Sequence, residues 1–190
     1  MRPDKVARLR ELLLEFSYQK RVVQLASGRT SDFYFDGKQT SLHPEGANLI
    51  GEWMLEKIRG EFAEARAVGG PTLGADPIAT AVSVLSFQRH HPLFAFIVRK
   101  EPKGHGTMNW IEGARHLKPG MRVVLVEDVI TTGGAVRDAT RALREAGAVV
   151  ETVVCAIDRS PGSENPLSDV GLEVRAVLTK DQLDRVRAGA

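Results

Sequence analysis

The stretch VVLVEDVITTGGAV, Val123 to Val136, runs from four apolar residues into two adjacent carboxylates, then through two threonines and two glycines into a helical pattern. A short apolar run bounded by polar residues reads as a buried strand. The following segment GAVRDATRALREA, residues 134 to 146, has amphipathic helical spacing and stops before Gly147, in the usual position for a helix-ending glycine. In an open parallel sheet the ligand crevice lies beyond the carboxyl ends of the strands, so the connection from Glu127 to Ala135 is placed to bind.

Working outward, ARAVGG, PLFAFIV, MRVVLVED and VVETVVCAID are further apolar runs separated by helix-length segments or long loops. This alternation predicts an α/β fold with a mostly parallel sheet covered by helices on both faces. Residues 75 to 88 (ADPIATAVSVLSFQ) form the other crossover helix, and EVRAVL followed by a short helix behind the capping-box tetrad TKDQ closes the chain. Upstream, Val6, Leu9, Leu13 and Phe16 define an opening amphipathic helix over residues 4 to 16 with Asp4 as its N-cap. Two short β-like runs then flank a turn at Gly28, and a helix begins near Pro44 and carries Leu49, Trp53, Leu55 and Ile58 on its apolar face.

At 190 residues, 43% hydrophobic and 26% charged, the chain fits one domain with a real core. Its 26 basic and 24 acidic residues balance too closely for wholesale nucleic-acid binding. The single cysteine, Cys155, lies in an apolar run and reads as an inert buried thiol. The charged N-terminus and the lack of an 18-residue apolar run predict a cytoplasmic protein with no membrane partner. The histidines fall at no metal-ligand spacing, so no metal held directly by protein side chains is expected.

The turn itself has a chemistry. Thr131, Thr132, Gly133 and Gly134 offer hydroxyls and closely approachable backbone N–H groups at a helix N-terminus, the surroundings a phosphate dianion needs. Neither GxxxxGK[ST] nor GxGxxG with a following acid is present, which sets two other phosphate loops aside. Glu127 and Asp128 precede the turn, and carboxylates accept hydrogen bonds from vicinal hydroxyls, so a ribose 5-phosphate would set its diol on the acids and its phosphate on the turn. The plainer alternative is a polar βα connection in which Asp128 caps the helix.

VVLVEDVITTGGA resembles the phosphoribosyl pyrophosphate (PRPP) motif of type I phosphoribosyltransferases. The resemblance implies that fold, with a small N-terminal hood formed largely by residues 1 to 40 of a single domain spanning residues 1 to 190. It implies PRPP contacts from Glu127, Asp128, Val129, Ile130, Thr131, Thr132, Gly133, Gly134 and Ala135. The basic segment RKEPKGHG, Arg99 to Gly106, resembles the RKxxKxHG loop of orotate phosphoribosyltransferases. In that family the loop closes over the neighbouring subunit's site, which implies a homodimer in which Arg99, Lys100, Lys103 and His105 of the 99–108 loop face PRPP. SGRTSDFYFD and AIDR resemble the same family's pyrimidine-side segments, implying orotate contacts from Tyr34, Phe35, Thr131 and Arg159. A planar carboxylate is best held by a bidentate guanidinium, which suits Arg159 independently.

The expected reaction is therefore orotate plus PRPP to orotidine 5′-monophosphate and pyrophosphate in pyrimidine biosynthesis, with Lys103, His105, Glu127 and Asp128 as the catalytic set. Mg²⁺ is the expected cofactor, carried mainly by PRPP and reached by Asp128 through water. Two departures stand out: Ala26 precedes SGR where many members have lysine, and GGPTLGADPIA replaces a GPAYKGI form, which leaves Leu73 in place of a second lysine. The rival readings are a purine-type phosphoribosyltransferase and a PRPP-binding regulator of RNA or DNA.

Overall fold

The computed structural model describes residues 1–24, 30–31, 33–101, 110–160 and 165–187. The chain opens with α1 (Pro3–Leu12), which turns Leu9 and Leu12 inward. Arg2, not Asp4, occupies the N-cap, with Pro3 starting the helix and Asp4 in its first turn, where a carboxylate favours the positive end of the dipole. The expected single helix to residue 16 instead changes to a wider π turn at Leu13–Ser17. Four two-residue strands follow: β1 (Tyr18–Gln19), β2 (Val23–Gln24), β3 (Thr30–Ser31) and β4 (Tyr34–Phe35). β1 pairs antiparallel with β4 and β2 with β3, while the expected Gly28 turn lies outside the described residues.

A short helix α2 (Lys38–Ser41), too brief to leave a periodic signal, leads into α3 (Pro44–Glu61). His43 caps α3 by accepting from the Gly46 N–H at 3.4 Å. The central sheet then forms from β5 (Ala67–Pro71), β6 (Phe94–Val98), β7 (Ile111–Glu112), β8 (Arg122–Ile130), β9 (Val149–Asp158) and β10 (Glu173–Thr179). Between them run α4 (Ala75–Gln88) and α5 (Gly134–Glu145), and α6 (Lys180–Arg187) follows β10. At the start of α6, Thr179 N–H donates to Gln182 Oε1 at 3.0 Å and Gln182 N–H to Thr179 Oγ1 at 3.4 Å, the reciprocal bonds of a capping box.

The strand order is β10-β9-β8-β5-β6-β7, and every neighbouring pair is parallel except β6 with β7. From β5 the chain moves one way to β6, and from β8 the other way to β9 and β10. The crossover direction thus reverses between β5 and β8, the place where an open α/β sheet leaves a crevice. Successive β8 side chains alternate into two cores: Val124 and Val126 join α1, α3 and α4 on one face, and Val123 and Leu125 join α5 on the other.

Two expectations need correction. β8 continues through Ile130, two residues past the run MRVVLVED, so the connection to α5 begins at Thr131 and not at Glu127. The alternative in which Asp128 caps the helix does not hold either, since the N-cap of α5 is Gly133. The basic segment starts at the end of β6, whose antiparallel partner β7 went unforeseen because two residues carry no periodicity.

Candidate active site

The parallel strands β5, β6, β8 and β9 all end at one edge of the sheet, and their connections meet there. After β5 comes Thr72–Gly74, where a cis peptide joins Thr72 to Leu73. Thr72 Oγ1 donates to Asp76 Oδ2 at 2.8 Å, tying this connection to the first turn of α4.

Glu127 and Asp128 lie side by side near the end of β8, only 7% and 6% exposed. Strand alternation would send them to opposite faces, yet both carboxylates close on Gly74: a Cβ there would come within 2.1 Å of Glu127 Oε1 and 2.4 Å of Asp128 Oδ1. Only a residue without a side chain lets the β5 connection lie across the pair. Glu127 Oε1 accepts from the Asp128 N–H at 3.1 Å, and Asp128 Oδ1 accepts from the Val129 N–H at 2.8 Å. Burial and the adjoining Asp128 carboxylate push the Glu127 carboxyl up to about 9, because neither desolvation nor a like charge tolerates a second anion.

Beyond the acids, Thr131 is half-buried and Thr132 exposed, and Gly133 turns the chain at φ +75°. A Cβ at Gly133 would also meet Leu167 Cδ2 at 2.5 Å, so conformation and space both call for glycine. No side chain caps α5, which leaves its first N–H groups to whatever occupies the turn. Arg137 braces the turn from behind. Its Nη1 donates to the Thr132 carbonyl at 2.5 Å, its Nη2 donates to the Pro166 carbonyl, and it pairs with Asp169 at 2.9 and 3.0 Å.

Arg159 follows β9, and its backbone N–H donates to the Ile130 carbonyl at 2.7 Å, which fixes it beside the turn. Its guanidinium lies 4.5 Å above the Phe33 ring, and desolvation lowers its pKa. It does not pair with its neighbour, since Asp158 Oδ1 accepts from Ser160 N–H at 2.9 Å and Ser160 Oγ at 2.6 Å. An incompletely solvated guanidinium with no carboxylate beside it among the described residues suits an anionic ligand group.

The other expected residues divide. Ile130 is 1% exposed and faces a core, and Val129 packs against the other core, so either could meet a ligand only through its main chain. Gly134 and Ala135 open onto a groove of about 680 Å³ that Thr72, Arg99, Lys100 and Trp110 also line. Arg99 pairs with Glu112 at 2.8 Å across the β6–β7 hairpin. Tyr34 is half-buried beneath the Arg21 guanidinium, and the Phe35 side chain is in the core, leaving its backbone for any ligand. Lys103 and His105 lie outside the described residues. Sequence reasoning missed Phe33, Gly74, Arg137 and Lys38, whose ammonium stands 3.5 Å from Asp128 Oδ2. The Gly-Lys pair directly after FYFD was the available signal for the last.

A crevice at the switch point, with two buried acids facing it and a glycine turn at a helix N-terminus, defines the class of type I phosphoribosyltransferases. The family model described as "Phosphoribosyl transferase domain" matches residues 38–174. The orotate phosphoribosyltransferase of Sorangium cellulosum is 47% identical over 173 residues, covering 91% of this chain and 90% of that protein. That of Nostoc sp. is 45% identical over 172 residues, covering 90% and 82%. Among solved structures, the Mycobacterium tuberculosis orotate phosphoribosyltransferase in complex with PRPP superposes with a TM-score of 0.74 at 35% identity, covering 95% of this chain and 99% of that one. The chain belongs to the orotate phosphoribosyltransferase family.

Proposed function

We infer that the chain transfers the 5-phosphoribosyl group from PRPP to N1 of orotate, giving orotidine 5′-monophosphate and pyrophosphate. The observation that carries the choice of base is Arg159, a half-buried guanidinium with no carboxylate partner among the described residues, fixed through its backbone beside the glycine turn. A purine presents no carboxylate for it to hold.

In this reading the 5-phosphate occupies the Thr131–Ala135 turn, the ribose diol lies against Glu127 and Asp128, and the orotate carboxylate meets Arg159, with Thr131 and the backbone at Tyr34 and Phe35 against the ring. N1 bonds to C1′ as the C1′–pyrophosphate bond breaks, its proton passing to solvent or the released pyrophosphate, and the anomeric carbon gains oxocarbenium character. The Asp128 carboxylate favours that charge electrostatically while Glu127 holds the diol beside it, and Arg99, Lys100, Lys103 and His105 neutralise the departing pyrophosphate. Among the described residues no three His, Cys, Asp or Glu side chains gather into a metal cage. Two adjacent acids are hard oxygen donors that would suit a hydrated Mg²⁺ arriving with PRPP, and Asp128 would be the residue to hold it, through water. Bound there, Mg²⁺ would offset charge on the pyrophosphate.

The same reading makes the chain one catalytic domain acting as a cytoplasmic homodimer. Val84 and Phe87 on α4 and Phe94 on β6 are 52%, 73% and 48% exposed, which supports a covering subunit. Among the described residues no helix is long and apolar enough to cross a membrane.

The test is the Mg²⁺- and PRPP-dependent loss of orotate absorbance, with adenine and hypoxanthine as competing bases and Lys103→Ala as a control. Turnover of orotate alone, lowered by about a hundredfold or more in the variant, is the expected result. Purine turnover, or RNA retardation without turnover, would sink the reading.

A further inference from the structure

A buried carboxylate beside a second acid needs a compensating charge. Among the described residues one cation stands within ion-pair distance of either acid: Lys38, 3.5 Å from Asp128 Oδ2. We propose that Lys38 is a positioning residue for PRPP, holding the Asp128 carboxylate in place for the ribose and supplying positive charge beside it. The inference rests on the PRPP chemistry proposed above.

The local construction supports this role. Asp36 Oδ1 lies 2.7 Å from the Lys38 ammonium and also accepts the Lys38 backbone N–H at 3.2 Å, so one carboxylate fixes both ends of the residue. Gln39 Nε2 steadies the second Asp36 oxygen at 3.2 Å. The backbone reaches the acid because residue 37 is glycine: a Cβ there would stand 2.8 Å from Asp128 Cβ. Val129 N–H already holds Asp128 Oδ1, so the strand fixes one oxygen of the carboxylate and Lys38 the other.

A purely structural role explains this poorly. The Lys38 side chain is 40% exposed, and an ion pair that open to water adds little to folding. Its field still reaches two acids buried to more than nine-tenths, where screening is weakest. A polyanionic sugar approaching the Asp128 carboxylate meets like charge at close range, and the ammonium held between Asp36 and Asp128 offsets part of it.

The experiment compares PRPP binding by titration calorimetry, initial rates and melting temperature in the full-length wild type, Lys38→Met and Lys38→Arg. Lys38→Met should weaken PRPP binding about tenfold, with the KM for PRPP rising more than kcat falls. The KM for orotate should stay within about twofold, and the melting temperature within about 2 °C. Lys38→Arg should restore most of the PRPP affinity. PRPP bound as tightly as in the wild type, or more tightly, by Lys38→Met overturns the inference, as does equal loss in the Met and Arg variants at unchanged melting temperature. A wild type that neither binds PRPP nor consumes orotate overturns the functional reading itself, a result distinguishable because it needs no variant.

Discussion

The acidic pair and the start of the basic segment sit at the same edge of one sheet and are built in opposite ways. Glu127 and Asp128 belong to an interior strand, are buried, and are fixed by backbone N–H groups and by the glycine lying over them. Arg99 and Lys100 leave an antiparallel edge hairpin, and the Arg99 side chain is 40% exposed and pairs with Glu112. Groups that must act on the reacting sugar gain from a fixed, poorly hydrated setting, where each charge is felt strongly. Groups that receive a departing anion can be supplied from an exposed element, where a single contact matters less.

If that contrast is right, the strongest break comes from the fixed partner. Asp128→Asn keeps the shape and removes an anionic acceptor, and kcat/KM should fall about a hundred- to a thousandfold in the orotate assay. Arg99→Ala should fall far less, and equal losses would erase the distinction. Arg159→Leu should raise the KM for orotate about ten- to a hundredfold while leaving PRPP binding unchanged by calorimetry. A smaller effect is expected on folding: Gly74→Ala forces a methyl against both carboxylates, and denaturant unfolding should lose about 1 to 3 kcal/mol.

The finest test uses acidity. The Glu127 carboxyl is raised from its ordinary 4.5 to about 9, so the folded state binds this proton more tightly than the unfolded chain. Its contribution to stability is complete below about 4.5 and is lost as pH rises through about 9. The unliganded protein should therefore melt at falling temperature across that window, and Glu127→Gln should flatten the slope. An unchanged slope in the variant would show that the pair carries its charge without strain.

Much of this was legible before any coordinates. The five long strands and both crossover helices follow from apolar runs and amphipathic spacing, since burial on both faces of a parallel sheet leaves uninterrupted hydrophobic stretches. Residues 75 to 88 match α4 end for end. The elements missed, α2 and β7, have four and two residues and leave no period to read. Within the site, Glu127, Asp128, the glycine turn and Arg159 announce themselves by chemical type. Phe33, Gly74 and Arg137 do not, because each matters through a contact made across the fold by a residue type common on any surface or in any core, and Lys38 is marked only by the Gly-Lys pair after FYFD. The end of β8 was misjudged for a related reason: two carboxylates look like the close of a buried strand unless something across the sheet edge covers them, and Gly74 does.

One brace carries a further consequence. Arg137 joins the carbonyl of Thr132 to the carbonyl of Pro166 and the carboxylate of Asp169, so the glycine turn and the stretch downstream of Arg159 are stitched by a single side chain. Grafting either stretch alone from a homologue would sever those stitches. Anyone rebuilding this scaffold for a different base would have to transplant the two as one block with Arg137, and an unaided swap of residues 159 to 169 should disturb phosphate recognition in a chimera whose turn was never altered.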